Sequence, residues 1–267
     1  MKKFKWDKFY LTFILLTLYI PIFYLIIYSF SSGNNMDNFK NFTFNHYLDL
    51  INDNRLLAIF IETIILALMS SLFATIIGTL GAIAINNIKN RNRKKILLTL
   101  NNVLMVSPDV IIGASFLILF TAMGISLGMG SVLLSHIAFS IPIVVLMVLP
   151  RLKEFDKSLV DAASDLGANS WQIFSKILLP AITPGILSGF FMALTYSLDD
   201  FAVTFFVTGN GFSTLSVEIY SRARQGINLE INALSTVMFI FVLILVFIYY
   251  LITCKKGHTK GLSLIHI

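Results

Sequence analysis

The sequence predicts an all-α integral membrane protein with about six membrane-spanning helices. Hydrophobic residues make up 57% of the 267 positions and charged residues 13%, whereas about a quarter of the residues in soluble domains are charged. Long apolar runs alternate with short polar segments, and about 20 apolar residues in a helix are enough to cross a bilayer. The single Cys254 argues against an internal disulfide and a cysteine-rich metal site.

The apolar runs predict one transmembrane domain over residues 1–267. The spans are expected at about 9–30, 57–85, 96–123, 131–149, 184–207 and 233–253. The first run is longer than the apolar core of a signal peptide and has no small-residue cleavage site, so we expect it to remain as a span. Gly78 and Ala82 in the second span have the spacing that lets helices pack closely in lipid. Ser107-Pro108-Asp109 interrupts the third span. No structure is predicted for the tail 261–267.

The distribution of basic residues predicts the orientation of these spans. Only Lys40, Arg55, Arg222 and Arg224 lie on one side, and the remaining 16 of the 20 Lys and Arg residues lie on the other. Basic residues favour the cytoplasmic side. Both termini and the polar segment 150–183 are therefore expected in the cytoplasm. The net charge of +6 is explained by this asymmetry, and no groove-like basic cluster indicates nucleic acid.

The polar segment 150–183 is predicted to hold two short helices joined at a glycine. Ser158 and Asp161 have capping-box spacing, and Gly167 follows the first helix where a left-handed residue is common. Ser170 is expected to cap the second helix and Pro180 to end it. From this pattern alone, a hairpin lying on the membrane interface and a docking element for another protein fit equally well.

Four carboxylates lie inside apolar runs without Lys or Arg at helical spacing: Glu62, Asp109, Asp199 and Asp200. An ionised carboxylate near the bilayer centre costs at least ~2.5 kcal/mol, so such groups usually face a bundle interior or a water path. Asp199 and Asp200 point about 100° apart on a helix. We expect one to face the path and the other to cap a helix or pair with a neighbouring subunit.

Two of these carboxylates, and one histidine, also have simpler interpretations. Asp109 can bind the backbone groups that Pro108 leaves free, and Glu62 can reach the outer membrane interface. His136 is expected to be a structural histidine. No GxxxxGK[ST] phosphate loop, HExxH motif or Ser/His/Asp set is present, so the chain is not predicted to be an enzyme.

The polar segment resembles the signature of permease subunits of ABC transporters. That signature reads Glu-Ala-Ala, three residues, Gly, nine residues, Ile, one residue, Leu-Pro. All spacings are kept here, with Asp161 in place of Glu. The resemblance implies a type I ABC importer permease whose first loop helix couples to a cytoplasmic ATPase subunit. The residues it assigns to coupling are Asp161, Ala162, Ala163, Leu166, Gly167, Ile177, Leu179 and Pro180.

A second resemblance concerns the solute. Ser197–Gly209, Ile219–Thr236, Ser107–Ile111 and Gly124–Ile141 resemble polyamine (spermidine/putrescine) permeases, although permeases for iron, thiamine, sulfate and molybdate share much of this pattern. It implies a bacterial cytoplasmic membrane location, a second permease subunit, two ATPase subunits that bind the ATP, and an extracytoplasmic substrate-binding protein. Arg222 and Arg224 are expected to contact that protein or outer lipid. The acidic residues in the spans favour a polycation over an anion as the solute. The alternative to an ATP-driven permease is an ATP-independent channel or membrane receptor.

Overall fold

The computed structural model describes residues 6–33, 36, 38–225 and 229–262. The basic residues at positions 2, 3 and 5 and the last five residues of the chain lie outside these ranges. Within them the structure is helical, with an isolated β-bridge between Ser31 and Phe42. The helices are α1 (Trp6–Tyr28), α2 (Asn45–Asn52), α3 (Asn54–Asn87), α4 (Arg91–Val106), α5 (Asp109–Ala122), α6 (Met129–Glu154), α7 (Ser158–Asp165), α8 (Ser170–Ile173), α9 (Leu179–Asp199), α10 (Ala202–Val207), α11 (Leu215–Gln225) and α12 (Leu229–Leu262).

Five stretches of continuous helix in the described part of the chain are long and apolar enough to cross a membrane, and a bent pair counts as a sixth. The predicted spans 9–30, 57–85, 131–149 and 233–253 correspond to α1, α3, α6 and α12. Several helices extend past the predicted limits because hydropathy marks only the apolar part, while helical backbone continues into polar sequence. The all-α membrane fold is therefore confirmed.

The predicted third span is not one straight helix. α4 and α5 meet at an angle of 104°, with Ser107 in an extended conformation (φ −70°, ψ 139°). Pro108 causes the bend, because a proline disfavours helical backbone at the preceding residue and removes an N–H donor. At about 1.5 Å per residue, neither helix alone spans a hydrocarbon core of about 30 Å. The bend places Asp109 in the first turn of α5.

The predicted fifth span, 184–207, does not correspond to one helix, because its last part is α10. Helical backbone runs without interruption from Ser170 through α8, a π-helical turn at Phe174–Leu178 and α9 to Asp199. Pro180 does not end this helix; it lies in the first turn of α9. The π turn widens the helix just before it and changes the hydrogen-bond register, so the missing N–H of Pro180 is tolerated. The backbone breaks instead after Asp199, and α10 follows as a separate short helix.

The chain forms two compact units, Met1–Ala58 with Glu218–Leu245, and Ile59–Val217 with Val246–Ile267. In the second unit, α3 approaches α6 closely at Gly78. A Cβ atom on Gly78 would lie 2.6 Å from the Cβ of Val144, which is closer than carbon atoms can pack. Ala82, one turn further, is fully buried. The close packing predicted from the spacing of these two small residues is confirmed.

In the first unit, a network of charged side chains ties the start of α3 to α11 and α12. Arg222 contacts Glu218 at 2.9 Å, Asp53 at 3.4 Å and Glu230 at 3.5 Å. Arg55 reaches the buried Glu218 at 3.0 Å. Burial lowers the pKa of Arg222, but the hydrogen bonds and charges of Glu218 and Asp53 together outweigh burial and hold that pKa above its usual value.

Candidate functional site

The loop between α6 and α8 is built from local capping contacts. Ser158 is the first residue of α7, and its N–H donates to Oδ1 of Asp156 at 2.9 Å. This hydrogen bond lowers the pKa of Asp156. The predicted capping box from Ser158 to Asp161 is therefore wrong, because the chain already turns helically at Lys157 (φ −67°, ψ −22°).

The glycine turn of this loop is as predicted. Gly167 has φ +80°, the left-handed region that strains other residues. The predicted cap of α8 is wrong by one residue, since Asn169 and Gln172 form the capping box and Ser170 is the first helical residue. Two large apolar side chains of the loop, Leu166 and Trp171, are 89% and 71% exposed.

The coupling residues assigned by the resemblance are distributed over four local elements. Asp161, Ala162 and Ala163 lie on α7, Leu166 and Gly167 in the turn, Ile177 in the π turn, and Leu179 and Pro180 at the start of α9. Asp161 and Ala162 are exposed and Ala163 is half-buried. The loop thus presents a short helix with small side chains beside an exposed leucine, and a groove on another protein can accept such a surface.

Three of the four predicted pathway carboxylates line one cavity. Its volume is about 270 Å³. Its lining residues are Asp109, Tyr196, Asp199, Asp200, Phe201 and Ala202. An adjoining cavity of about 220 Å³ shares Asp109, Tyr196 and Asp200 and is otherwise lined by apolar side chains such as Leu104, Phe139 and Met192. The 104° bend at Pro108 and the break after Asp199 thus bring their acidic residues to the same place.

The adjacent Asp199 and Asp200 have different environments. Asp200 accepts hydrogen bonds from the N–H of Val203 at 3.2 Å, the N–H of Thr204 at 2.8 Å and Oγ1 of Thr204 at 2.7 Å. Its side chain is only 8% exposed. It therefore satisfies the free N–H groups at the start of α10. Asp199 and Asp109 are exposed on this chain and line the cavity.

A buried histidine that the sequence did not single out for function lies beside Asp200. His136 is fully buried, and its Nδ1 lies 2.7 Å from Oγ of Ser197. Its Nε2 lies 2.9 Å from Oγ1 of Thr204 and 3.4 Å from Oδ2 of Asp200. The sequence hints at this arrangement only through polar residues inside apolar spans.

Glu62, the fourth predicted carboxylate, is half-buried on α3 and does not line either acidic cavity. Of the two arginines predicted to lie on the outer side, Arg222 contacts carboxylates of its own chain. A polar cavity of about 400 Å³ lies beside it, lined in part by Arg55, Glu218 and Glu230. The guanidinium of Arg224 lies over the ring of Tyr220 at 5.6 Å. Both arginines thus have contacts within the chain. Their predicted contacts with a substrate-binding protein or with outer lipid stay predictions.

The class of protein follows from a comparison with known families. Residues 74–253 match the family described as "Binding-protein-dependent transport system inner membrane component". A solved structure with the same fold belongs to a bacterial ABC transporter that imports the acidic polysaccharide alginate, with a TM-score of 0.72, 18% identity and 94% of each chain covered. This chain therefore belongs to that family of inner-membrane transport components.

Two curated relatives narrow the comparison. The spermidine/putrescine transport system permease protein PotC of Escherichia coli (strain K12) is 40% identical over 252 residues, with 94% of each chain covered. The putrescine transport system permease protein PotI of the same strain is 35% identical over 230 residues, covering 83% of this chain and 81% of the relative. The chain is thus a multi-pass permease component, and the resemblance to this class that its loop motif indicated is confirmed.

Proposed function

We propose that this chain is one of two permease subunits of an ATP-driven importer that carries polyamines such as spermidine or putrescine into the cell. The observation that carries this proposal is the 40% identity to a spermidine/putrescine permease over 94% of both chains. The acidic cavity supports the same solute class on independent chemical grounds.

A polyamine is a flexible chain of ammonium groups separated by methylene segments. Asp109 and Asp199 offer two separate carboxylates to it, and Tyr196 and Phe201 offer aromatic faces in the same cavity. Carboxylates bind ammonium groups by charge-assisted hydrogen bonds, and aromatic faces attract cations. The side chains lining this cavity include no Lys or Arg, which disfavours sulfate and molybdate as solutes.

In the proposed machine, the loop from α6 to α9 faces the cytoplasm and α7 docks on one of two ATPase subunits, which bind and hydrolyse the ATP. Both termini lie on the same side, in agreement with the basic residues of the inner segments. A substrate-binding protein delivers the polyamine from the outer side. Docking of α7 through its small residues and the exposed Leu166 converts motion of the ATPase into opening and closing of the path.

The test is ATP-dependent uptake of radiolabelled spermidine by the complete complex in proteoliposomes. We expect Asp199→Asn and Asp109→Asn each to lower uptake at least about tenfold, because each loses a charge-assisted contact worth about 1.5–3 kcal/mol. Glu62→Gln should have a smaller effect, since Glu62 lies outside the cavity. Glu154→Gln is the matched control, because its exposed ion pair with Arg151 contributes little.

Uptake that stays at the wild-type level in Asp199→Asn, Asp109→Asn and the double variant would contradict the role of these carboxylates. Uptake of sulfate, thiamine or ferric iron in place of spermidine by the wild-type complex would contradict the proposed solute. Uptake that continues without ATP or without the ATPase subunit would favour a channel.

A further inference from the structure

A chain of buried hydrogen bonds runs behind the acidic cavity, within the second compact unit. Oγ of Ser70 lies 3.0 Å from Oγ of Ser197, which lies 2.7 Å from Nδ1 of His136. Nε2 of His136 lies 2.9 Å from Oγ1 of Thr204, and that hydroxyl donates to Asp200 at 2.7 Å. Ser70, Ser197, His136 and Thr204 are each at most 2% exposed. Four helices, α3, α6, α9 and α10, are connected in this way.

The chain of hydrogen bonds crosses the break between α9 and α10. Ser197 lies in the last turn of α9 and Thr204 in the first turns of α10. The two ring nitrogens of His136, which comes from α6, therefore hold the two ends of the broken helix. Oγ of Ser216 donates to the carbonyl of Leu198 at 3.0 Å, so one carbonyl freed by the break is also satisfied. A break at membrane depth persists only where its backbone groups find such partners.

The donors in this chain have a defined direction next to Asp200. An ionised carboxylate only accepts, so the Thr204 hydroxyl donates to it and has its own oxygen free to accept. Nε2–H of His136 is then the donor to Thr204. This assignment is fixed by the hydrogen-bond network. An apolar residue at position 136 would leave the Ser197 and Thr204 hydroxyls without this partner, and a buried polar group that loses its partner is costly.

We infer that His136 is a positioning residue for the substrate path: it fixes the α9–α10 break so that Asp199 faces the cavity while Asp200 stays turned into the cap of α10. The two carboxylates are one residue apart, and a rotation of about 100° at the end of α9 would exchange them. Ser197 and Thr204 are the groups through which His136 prevents this rotation. The inference rests on the proposed function only for its effect on uptake.

The first experiment measures the KM and maximal rate of spermidine uptake by the complete complex. We expect His136→Phe and Thr204→Val to raise KM roughly tenfold, the factor that corresponds to the loss of about one buried hydrogen bond. His136→Gln, which keeps an N–H near the position of Nε2, and Thr204→Ser, which keeps the hydroxyl, should recover most of the wild-type KM. Ser135→Ala is the matched control, because Ser135 is an equally buried hydroxyl on α6 that donates to the Ser131 carbonyl.

The second experiment needs no transport. In a Cys254→Ser background, cysteines are placed at the exposed position 199 and at the buried position 198 and treated with a cationic, water-soluble methanethiosulfonate in the detergent-solubilised complex. With His136 present, only Asp199→Cys should react quickly. Adding His136→Phe or Thr204→Val should slow the reaction at 199 and leave 198 unreactive, because a rotation that turns residue 200 into the cavity turns residue 198 further from it, while His136→Gln and Ser135→Ala should leave both rates unchanged.

The outcomes separate this inference from the proposed function. If the wild-type complex imports no polyamine, the proposed function fails, and the labelling pattern still tests the positioning role. Unchanged labelling in His136→Phe and Thr204→Val would overturn the inference whatever KM does. A KM in Ser135→Ala that rises as far as in Thr204→Val would also overturn it, because the effect would then belong to any buried hydroxyl. If His136→Phe does not assemble, Thr204→Val and His136→Gln give the result.

Discussion

The loop before α8 and the break after α9 lie at the two ends of one continuous helical run, Ser170–Asp199, and they are stabilised in opposite ways. The loop is exposed, and its capping partners are at most three residues apart in sequence, as for Asp156 with Ser158 and Asn169 with Gln172. The break is buried, and His136 contacts Ser197 and Thr204 across 61 and 68 residues.

This difference follows from the solvent around each region. In water, backbone groups at a helix end can be satisfied by solvent, so the loop needs only local caps and its residues are free to contact a partner. In the bilayer, each unsatisfied group costs several kcal/mol, so the break needs side chains from other helices. We therefore expect substitutions in the loop to act on assembly with a partner, and substitutions at the break to act on the chain itself.

The largest effect is expected in the loop. Asp161→Lys reverses a charge on the exposed face of α7, and Gly167→Trp places a bulky residue at φ +80°, which costs about 1–2 kcal/mol in strain and blocks a groove. Both variants should fold, insert and bind the second permease, but they should lose the ATPase subunit on co-purification and retain less than about a tenth of ATP-driven uptake. Lys157→Ala, on the preceding turn, serves as the control.

Co-purification of the ATPase subunit at the wild-type ratio with both loop variants would contradict the claim that the loop acts on assembly with a partner. The loop would then be an interfacial hairpin without a coupling role. Loss of the second permease together with the ATPase subunit would also contradict the prediction, because it would show that the loop stabilises the chain itself.

The second effect is expected at the break and on stability. Asp200→Ala removes the acceptor for two backbone N–H groups and the Thr204 hydroxyl, and loss of a cap and a buried acceptor costs about 2 kcal/mol or more. The melting temperature of the purified complex in detergent should fall by several degrees. Asp199→Ala, the neighbouring carboxylate without these contacts, should leave the melting temperature nearly unchanged while lowering uptake. Equal melting temperatures for the two variants would show that Asp200 does not cap α10 as described.

The sequence predicted features that depend on local contacts better than features that depend on contacts between distant helices. The loop motif, Gly167 and the close approach at Gly78 were predictable because each depends on residue type and spacing within one or two turns. The course of the fifth span was not predictable, because neither the π turn before Pro180 nor the break after Asp199, which His136 of α6 holds through Ser197 and Thr204, follows from residue spacing within one helix. The sequence predicted four carboxylates inside the membrane, but only the folded structure shows that Asp109 and Asp199 line one cavity and that Glu62 does not line it.

The smallest effect is expected for the exposed cap of the loop, Asp156. Hydrogen bonding from the Ser158 N–H lowers the pKa of Asp156 from its usual value of 3.8, so its carboxylate favours the folded loop above about pH 4, and this contribution is lost as the pH falls through the lowered pKa. In hydrogen–deuterium exchange, Asp156→Ala should weaken protection at the start of α7 at pH 6, and Asp156→Asn, which keeps an acceptor oxygen, should retain it. The wild-type loop should lose this protection below pH 4, and Asp156→Asn should not.

Uptake at neutral pH should hardly change in Asp156→Ala, because solvent can replace a cap in water, whereas the cap that Asp200 provides in the membrane has no such substitute. A fall in the melting temperature of Asp156→Ala as large as that of Asp200→Ala would mean that the exposed and the buried cap are equivalent, and the contrast drawn from their surroundings would fail.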